Sequence, residues 1–107
     1  DDAMILDSLV GLAVIEPTIA RDGLWKLALE SYDGGDMAQA GERFQKVLEV
    51  DPNHPWANYL LGLVLMGEGD NEAAISYLER FIQLAPDDPE APSAQDLVEY
   101  LRQGESG

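Results

Sequence analysis

Two stretches of the chain, 34 residues apart, follow almost the same order of residue types. Residues 44–55 read FQKVLEVDPNHP and residues 78–89 read LERFIQLAPDDP, so both prolines of one stretch align with those of the other. The same offset aligns further pairs upstream: Trp25 with Tyr59, Leu27 with Leu61, Gly35 with Gly69, Asp36 with Asp70, and Ala40 with Ala74. A fixed period of this length is typical of stacked supersecondary units that cover one another's apolar faces.

Each unit is predicted to be a hairpin of two helices. Apolar residues recur at three- and four-residue spacing over residues 24–32 and again over residues 40–50. Glycines at 34–35 and 67–69 are expected to end the first helix of each hairpin, and Asp36 or Asp70 then caps the second. Pro52 and Pro86 close each unit because proline cannot continue a helix.

The two ends of the chain extend this pattern. Four matches at an offset of one more residue make residues 1–17 either the second helix of a half repeat or an unrelated capping helix. Residues 89–103 predict a final helix with a polar outer side, opened by Asp88 and Pro89 or, because Pro92 interferes, later with Ser93 as the cap. The prediction is thus one domain of about six helices, with repeats at 21–54 and 55–88.

Taken together, these features resemble the tetratricopeptide repeat, a 34-residue helix-turn-helix unit. The matching positions are the apolar-small pairs Leu27-Ala28 and Leu61-Gly62, the Gly-Asp turns, Ala40 and Ala74 at the helix crossing, and the closing Asp51-Pro52 and Ala85-Pro86. Leu24 and Asn58 depart from the family, which often has Trp there, as do Ser31 and Leu65, where it often has Tyr. The resemblance implies an all-α, right-handed superhelix whose concave wall, formed by the first helix of each hairpin, binds peptides or helices of other proteins.

The resemblance also implies which residues form that wall. Carried over by position, they are Asp22, Trp25, Leu29, Tyr32, Asp33, Trp56, Tyr59, Leu63 and Met66. The residues of the helix predicted from Pro55 to Met66 agree, because this helix is apolar around its whole circumference and needs a cover on every side. The cover is a partner segment, the chain's own apolar stretch at residues 3–15, or a second copy; otherwise the aromatic residues simply pack in the core.

The charge of the chain restricts its partners. With 21 acidic and 6 basic residues, the formal net charge is -15, which disfavours nucleic acid and anionic membrane surfaces. Asp22 and Asp33 beside an apolar groove favour a protein ligand with an apolar face and basic flanks. No apolar stretch is long enough to cross a bilayer, and no basic signal region is present. We expect a soluble fragment of a larger protein, from either the cytoplasm or the periplasm.

Catalytic chemistry finds no support in the sequence. Cysteine is absent, and the single histidine, His54, has no nucleophile near it, so a helix-capping or solvent-facing role is expected. The carboxylates Asp87, Asp88 and Glu90 follow no calcium-loop spacing. The sequence therefore predicts a non-enzymatic protein-interaction module without cofactor or metal. The alternative is a self-assembly unit, a homo-oligomer or exchanged dimer whose groove is covered by its own N-terminal helix or a second copy.

Overall fold

The computed structural model describes the backbone of residues 17–106 and the side chains of residues 22–104. This part of the chain contains five helices, in the order α1 (Pro17–Asp33), α2 (Met37–Val50), α3 (Pro55–Gly67), α4 (Asn71–Leu84) and α5 (Ala91–Ser106). The predicted all-α fold of paired helices is confirmed, since α1 packs against α2, α3 against α4, and α5 against α4. The helix predicted over residues 1–17 lies, except for Pro17, outside the described residues.

Both hairpin turns have the predicted construction. Gly35 and Gly69 have positive φ angles of 85° and 88°, which glycine adopts without a steric penalty. The following aspartates cap the next helix: Asp36 Oδ1 accepts from the Gln39 amide at 3.1 Å, and Asp70 Oδ1 accepts from the Ala73 amide at 3.2 Å. Each turn therefore ends one helix and starts the next within three residues.

The helix boundaries correct three details of the prediction. Pro17 begins α1, so the loop expected between Pro17 and the first repeat is helical. Pro89 does not open the last helix as Pro55 opens α3; α5 begins at Ala91 and continues to Ser106, past the predicted end. Pro92 is accommodated in the first turn of α5, where a missing amide hydrogen breaks no helical hydrogen bond. This start lies between the two predicted ones.

The described chain divides into two compact units, one ending at Pro52 and the other beginning at Asn53. In the first unit, α1 and α2 enclose a small core around Phe44, which is fully buried. The Phe44 ring contacts Trp25 at a centroid distance of 5.7 Å and Tyr32 at 6.1 Å. The other fully buried apolar residues of this hairpin are Leu24, Ala28, Ala40 and Val47.

A buried polar cluster also joins α1 to α2. Arg43, only 5% exposed, donates from Nη1 to Ser31 Oγ at 2.8 Å and to the Leu27 carbonyl at 3.2 Å. The Ser31 hydroxyl is in turn 2.9 Å from Gln39 Oε1. These hydrogen bonds compensate the desolvation of the buried side chains.

The second unit has a larger core because three helices contribute to it. Its buried residues come from α3, α4 and α5: Tyr59, Ala74, Ile75, Leu78, Phe81, Ala94, Val98 and Leu101. Half-buried leucines and Met66 pack around this cluster. On the outside, Arg102 of α5 forms an ion pair with Glu79 of α4. The final helix thus covers the side of α4 that would otherwise expose Phe81 and Leu78.

Candidate functional site

The residues predicted to line the wall on α1 are divided between a half-buried stripe and an exposed rim. Trp25, Leu29 and Tyr32 follow helical spacing and are half-buried, and Asp22 and Asp33 are exposed. The two aromatic rings of the stripe rest on the buried Phe44, so their positions are set by the core of the first unit. This face of α1 therefore presents supported aromatic surface with a carboxylate at each end.

On α3, the predicted residues separate more sharply. Trp56 is 37% exposed, whereas Tyr59 is 9% exposed and belongs to the core. Leu63 and Met66 are half-buried and pack against that core. For Tyr59, the structure therefore agrees with the interpretation that part of the aromatic stripe is core. Trp56 is the aromatic residue of this helix that keeps substantial surface in solvent.

Three aromatic rings in the second unit form a compact group, here called the Trp56 cluster: Trp56, Tyr59 and Phe81. Their centroids are separated by 5.2 Å for Trp56–Tyr59, 5.1 Å for Trp56–Phe81 and 4.9 Å for Tyr59–Phe81. All three pairs are tilted or edge-to-face, the arrangements that aromatic quadrupoles favour. Phe81 is fully buried and fixes the other two rings, so Trp56 is held by α3 and α4 together.

A carboxylate lies at the polar end of this cluster. The Tyr59 hydroxyl donates to Glu90 Oε2 at 3.1 Å, joining α3 to the segment that precedes α5. The Glu90 backbone amide donates to Asp88 Oδ1 at 2.8 Å. Asp88 and Glu90, considered above for calcium, are thus engaged in hydrogen bonds that order the turn before α5. Among residues 17–106, no group of three His, Cys, Asp or Glu side chains is arranged to hold a metal ion.

His54 caps α3, which is one of the two roles expected for it. Its Nδ1 accepts from the Ala57 amide at 3.1 Å, directly before Pro55 in the first helical position. The imidazole nitrogen thus does what an Asn or Asp side chain does at this position.

We predict that His54→Ala lowers the free energy of unfolding by about 1 kcal/mol, because the Ala57 amide loses its acceptor. His54→Asn should retain most of this stability, since its side-chain oxygen can accept the same hydrogen bond. Urea denaturation of the two variants measures the difference. Equal stability of the alanine and asparagine variants would contradict the capping role.

Two members of the site have no counterpart in the sequence prediction of the wall. Phe81 shares the spacing of the buried residues Ala74 and Leu78 on α4, so its burial could be found from periodicity, but not its contact with Trp56. Glu90 is 31 residues from Tyr59, and no local pattern connects them. The structure adds both residues to the site.

With the hairpins and their aromatic faces described, the chain can be compared with known proteins. A family model described as tetratricopeptide repeat matches residues 32–97. This chain is a member of the tetratricopeptide-repeat family. The match extends from the end of α1 into α5 and therefore includes both hairpin turns and all of the second hairpin. Membership supports the coarse functional assignment, a protein-protein interaction module.

A solved structure has the same fold as this tetratricopeptide-repeat chain. The type III secretion translocator chaperone SycD of Yersinia enterocolitica is similar with a TM-score of 0.65 and 15% sequence identity. The similarity covers 98% of this chain and 88% of that chain, and at this identity it shows the fold. No curated protein matches the sequence at a significant level. In the described part of the chain, no helix has the length and apolar character needed to span a membrane.

Proposed function

We propose that this tetratricopeptide-repeat chain is a non-enzymatic module that binds an apolar segment of another protein through the partly exposed faces of α1 and α3. The contact residues are those predicted from the sequence: Asp22, Trp25, Leu29, Tyr32 and Asp33 on α1, and Trp56, Tyr59, Leu63 and Met66 on α3. The single observation that carries the proposal is Trp56, a large aromatic side chain that stays 37% exposed while two buried rings hold it in place.

Rigid support makes Trp56 suited to binding. An aromatic anchor with few accessible rotamers loses little conformational entropy when a partner covers it, and such residues dominate the energy of many interfaces. Tyr100 is more exposed, at 71%, but it lies on the outer side of α5. Exposure alone therefore does not single out Trp56; exposure combined with ordered contacts to Tyr59 and Phe81 does.

Charge supports a basic partner. The net charge of -15 repels other acidic proteins and raises the encounter rate with basic ones. Asp22 and Asp33 are exposed at the ends of the aromatic stripe of α1, where basic flanks of a bound segment can pair with them. The proposed ligand is accordingly a peptide or helix with an apolar face and basic residues beside it.

We predict that Trp56→Arg reduces partner binding by about tenfold or more, because it removes the aromatic anchor and places a positive charge against a basic ligand. The arginine stem still covers Phe81, which limits the loss of stability. The measurement is quantitative mass spectrometry of proteins retained by the immobilised chain from its native source. Partners retained by the unchanged chain should be lost from the variant.

Tyr100→Arg is the matched control, since it makes the same replacement of an exposed aromatic residue on α5. It should leave the retained proteins unchanged, and raising the ionic strength should weaken their binding to the unchanged chain. Identical retention by the Trp56→Arg and Tyr100→Arg variants, both folded by circular dichroism, would refute the proposal. A stable homodimer in light scattering that dissociates in Trp56→Arg alone would instead assign this face to self-assembly.

A further inference from the structure

We propose that Trp56 and Glu90 form a subsite for an arginine side chain of the bound segment. The inference rests on the proposed function, and it goes further by specifying the ligand chemistry at one point: a guanidinium over the Trp56 indole, paired with the Glu90 carboxylate, with an apolar neighbour on the same face. All the residues that carry it belong to the second unit.

Tyr59 connects the two halves of the subsite. Its ring packs against Trp56 at 5.2 Å, and its hydroxyl donates to Glu90 Oε2 at 3.1 Å. Because Tyr59 is 9% exposed and also contacts Phe81 at 4.9 Å, it cannot swing away without opening the core. One buried side chain thus fixes an exposed indole at one end and a carboxylate at the other.

The repeat register gives independent support for placing these residues side by side. An offset of 34 residues separates Trp56 from Glu90, so they occupy the same position in successive copies of the repeat. Trp56 lies in the first turn of α3, and Glu90 lies directly before α5, with its carbonyl accepting from the Ala94 amide at 3.0 Å. Equivalent positions at the starts of successive helices are expected to face the same side of the array.

Glu90 is ordered, and it retains the capacity to accept further hydrogen bonds. Its amide donates to Asp88 Oδ1 at 2.8 Å, which fixes the backbone, and the Tyr59 hydroxyl fixes one carboxylate oxygen. A carboxylate offers about four acceptor sites on two oxygens, so a single hydroxyl donor leaves most of them for a ligand. The side chain is half-buried and still reaches solvent.

Arginine fits this pair better than lysine does. Its planar guanidinium stacks on an indole face and at the same time donates two parallel hydrogen bonds to a carboxylate. An ammonium group can make the charge contact without the stacking geometry. The chain's large negative charge further concentrates cationic ligands at its surface.

The test uses the full chain with Trp25→Phe, so that Trp56 is the remaining one of the two tryptophans and reports directly on the subsite. The probe is the peptide acetyl-Leu-Arg-Leu-amide, titrated against indole fluorescence, with the citrulline analogue as its uncharged match. Glu90→Gln should weaken binding of the arginine peptide about tenfold, while its amide oxygen keeps the Tyr59 hydrogen bond. Glu72→Gln, an exposed residue in the first turn of α4, makes the same charge change and should alter binding less than about twofold.

Three results would overturn the subsite: equal affinity of the Glu90→Gln and Glu72→Gln variants, equal binding of the citrulline and arginine peptides, or no fluorescence change up to about 10 mM peptide. Failure of the subsite is distinguishable from failure of the proposed function. If Trp56→Arg abolishes partner retention while Glu90→Gln leaves peptide binding intact, only the arginine subsite is wrong. If Glu90→Gln weakens the peptide but Trp56→Arg retains every partner, the proposed function is wrong.

Discussion

Replacing Phe81 with alanine is expected to lower the free energy of unfolding by about 3–5 kcal/mol. Phe81 is fully buried and contacts both Trp56 at 5.1 Å and Tyr59 at 4.9 Å. Its removal leaves a cavity between α3 and α4 and takes away the support of two aromatic rings. A domain of this size has a total stability of about 5–15 kcal/mol, so the variant should be close to unfolding.

Urea denaturation, followed by circular dichroism, measures the loss, and tryptophan emission of the variant reports whether Trp56 becomes more solvated. Gln83→Ala is the control because residue 83 is exposed on the same helix, two positions away; its effect should stay within about 0.5 kcal/mol. A loss below about 1 kcal/mol for Phe81→Ala would mean that the neighbouring rings refill the site and that Trp56 does not depend on Phe81.

The sequence predicted the hairpin turns in detail because their determinants are local. A glycine at positive φ and an aspartate capping the next helix are read from neighbouring residues, and Gly35-Asp36 and Gly69-Asp70 both have this geometry. The 34-residue register then defined the order of the helices. Features whose cause lies within one turn of helix were therefore accessible without a structure.

The proline boundaries were less predictable because one proline fits two roles. Pro17 matched a residue that closes a helix, yet the same fixed φ and missing amide hydrogen suit the first position of a helix, which it occupies in α1. Pro89 matched Pro55 by register, but α5 begins at Ala91. Hydrogen bonds in the preceding turn, such as Asp88 to Glu90, decide between such alternatives, and they depend on the folded loop.

The polar cluster of the first hairpin shows another limit of the register. The offset of 34 residues aligns Ser31, Gln39 and Arg43 with Leu65, Ala73 and Tyr77, so buried hydrogen bonds in one unit correspond to apolar side chains in the next. The spacing of Arg43 from Ala40 and Val47 placed it near the buried face of α2. Its partners on α1 follow only from the packing of the two helices.

For the candidate site, the sequence identified the exposed aromatic residue but not its surroundings. Trp56 stood out because α3 is apolar on every side. Tyr59, predicted beside it, turned out to be buried, because Phe81 of α4 and the segment before α5 cover it. These contacts are separated by more than 20 residues along the chain, and helical periodicity carries no information about them.

The close crossing of α3 and α4 depends on Gly62. A Cβ atom built at this position would lie 3.0 Å from Leu78 Cγ and 3.3 Å from the Ala74 carbonyl oxygen, closer than ordinary contacts. Leu78 and Ala74 are fully buried, so neither has space to withdraw. The small residue therefore allows the two helices to approach, in agreement with the apolar-small pair found in the sequence.

Gly62→Val is expected to lower the free energy of unfolding by about 2–3 kcal/mol, because its branched Cβ must displace Leu78 or the backbone of α4. The helix propensity of valine, a few tenths of a kcal/mol better than that of glycine, offsets only a small part. Gly67→Val, at the exposed end of the same helix with no atom within 4 Å of a built Cβ, should be nearly neutral. Urea denaturation of the pair isolates the packing effect: if both variants unfold at the same urea concentration as the unchanged chain, the crossing of α3 and α4 tolerates a side chain and close approach at Gly62 contributes nothing to stability.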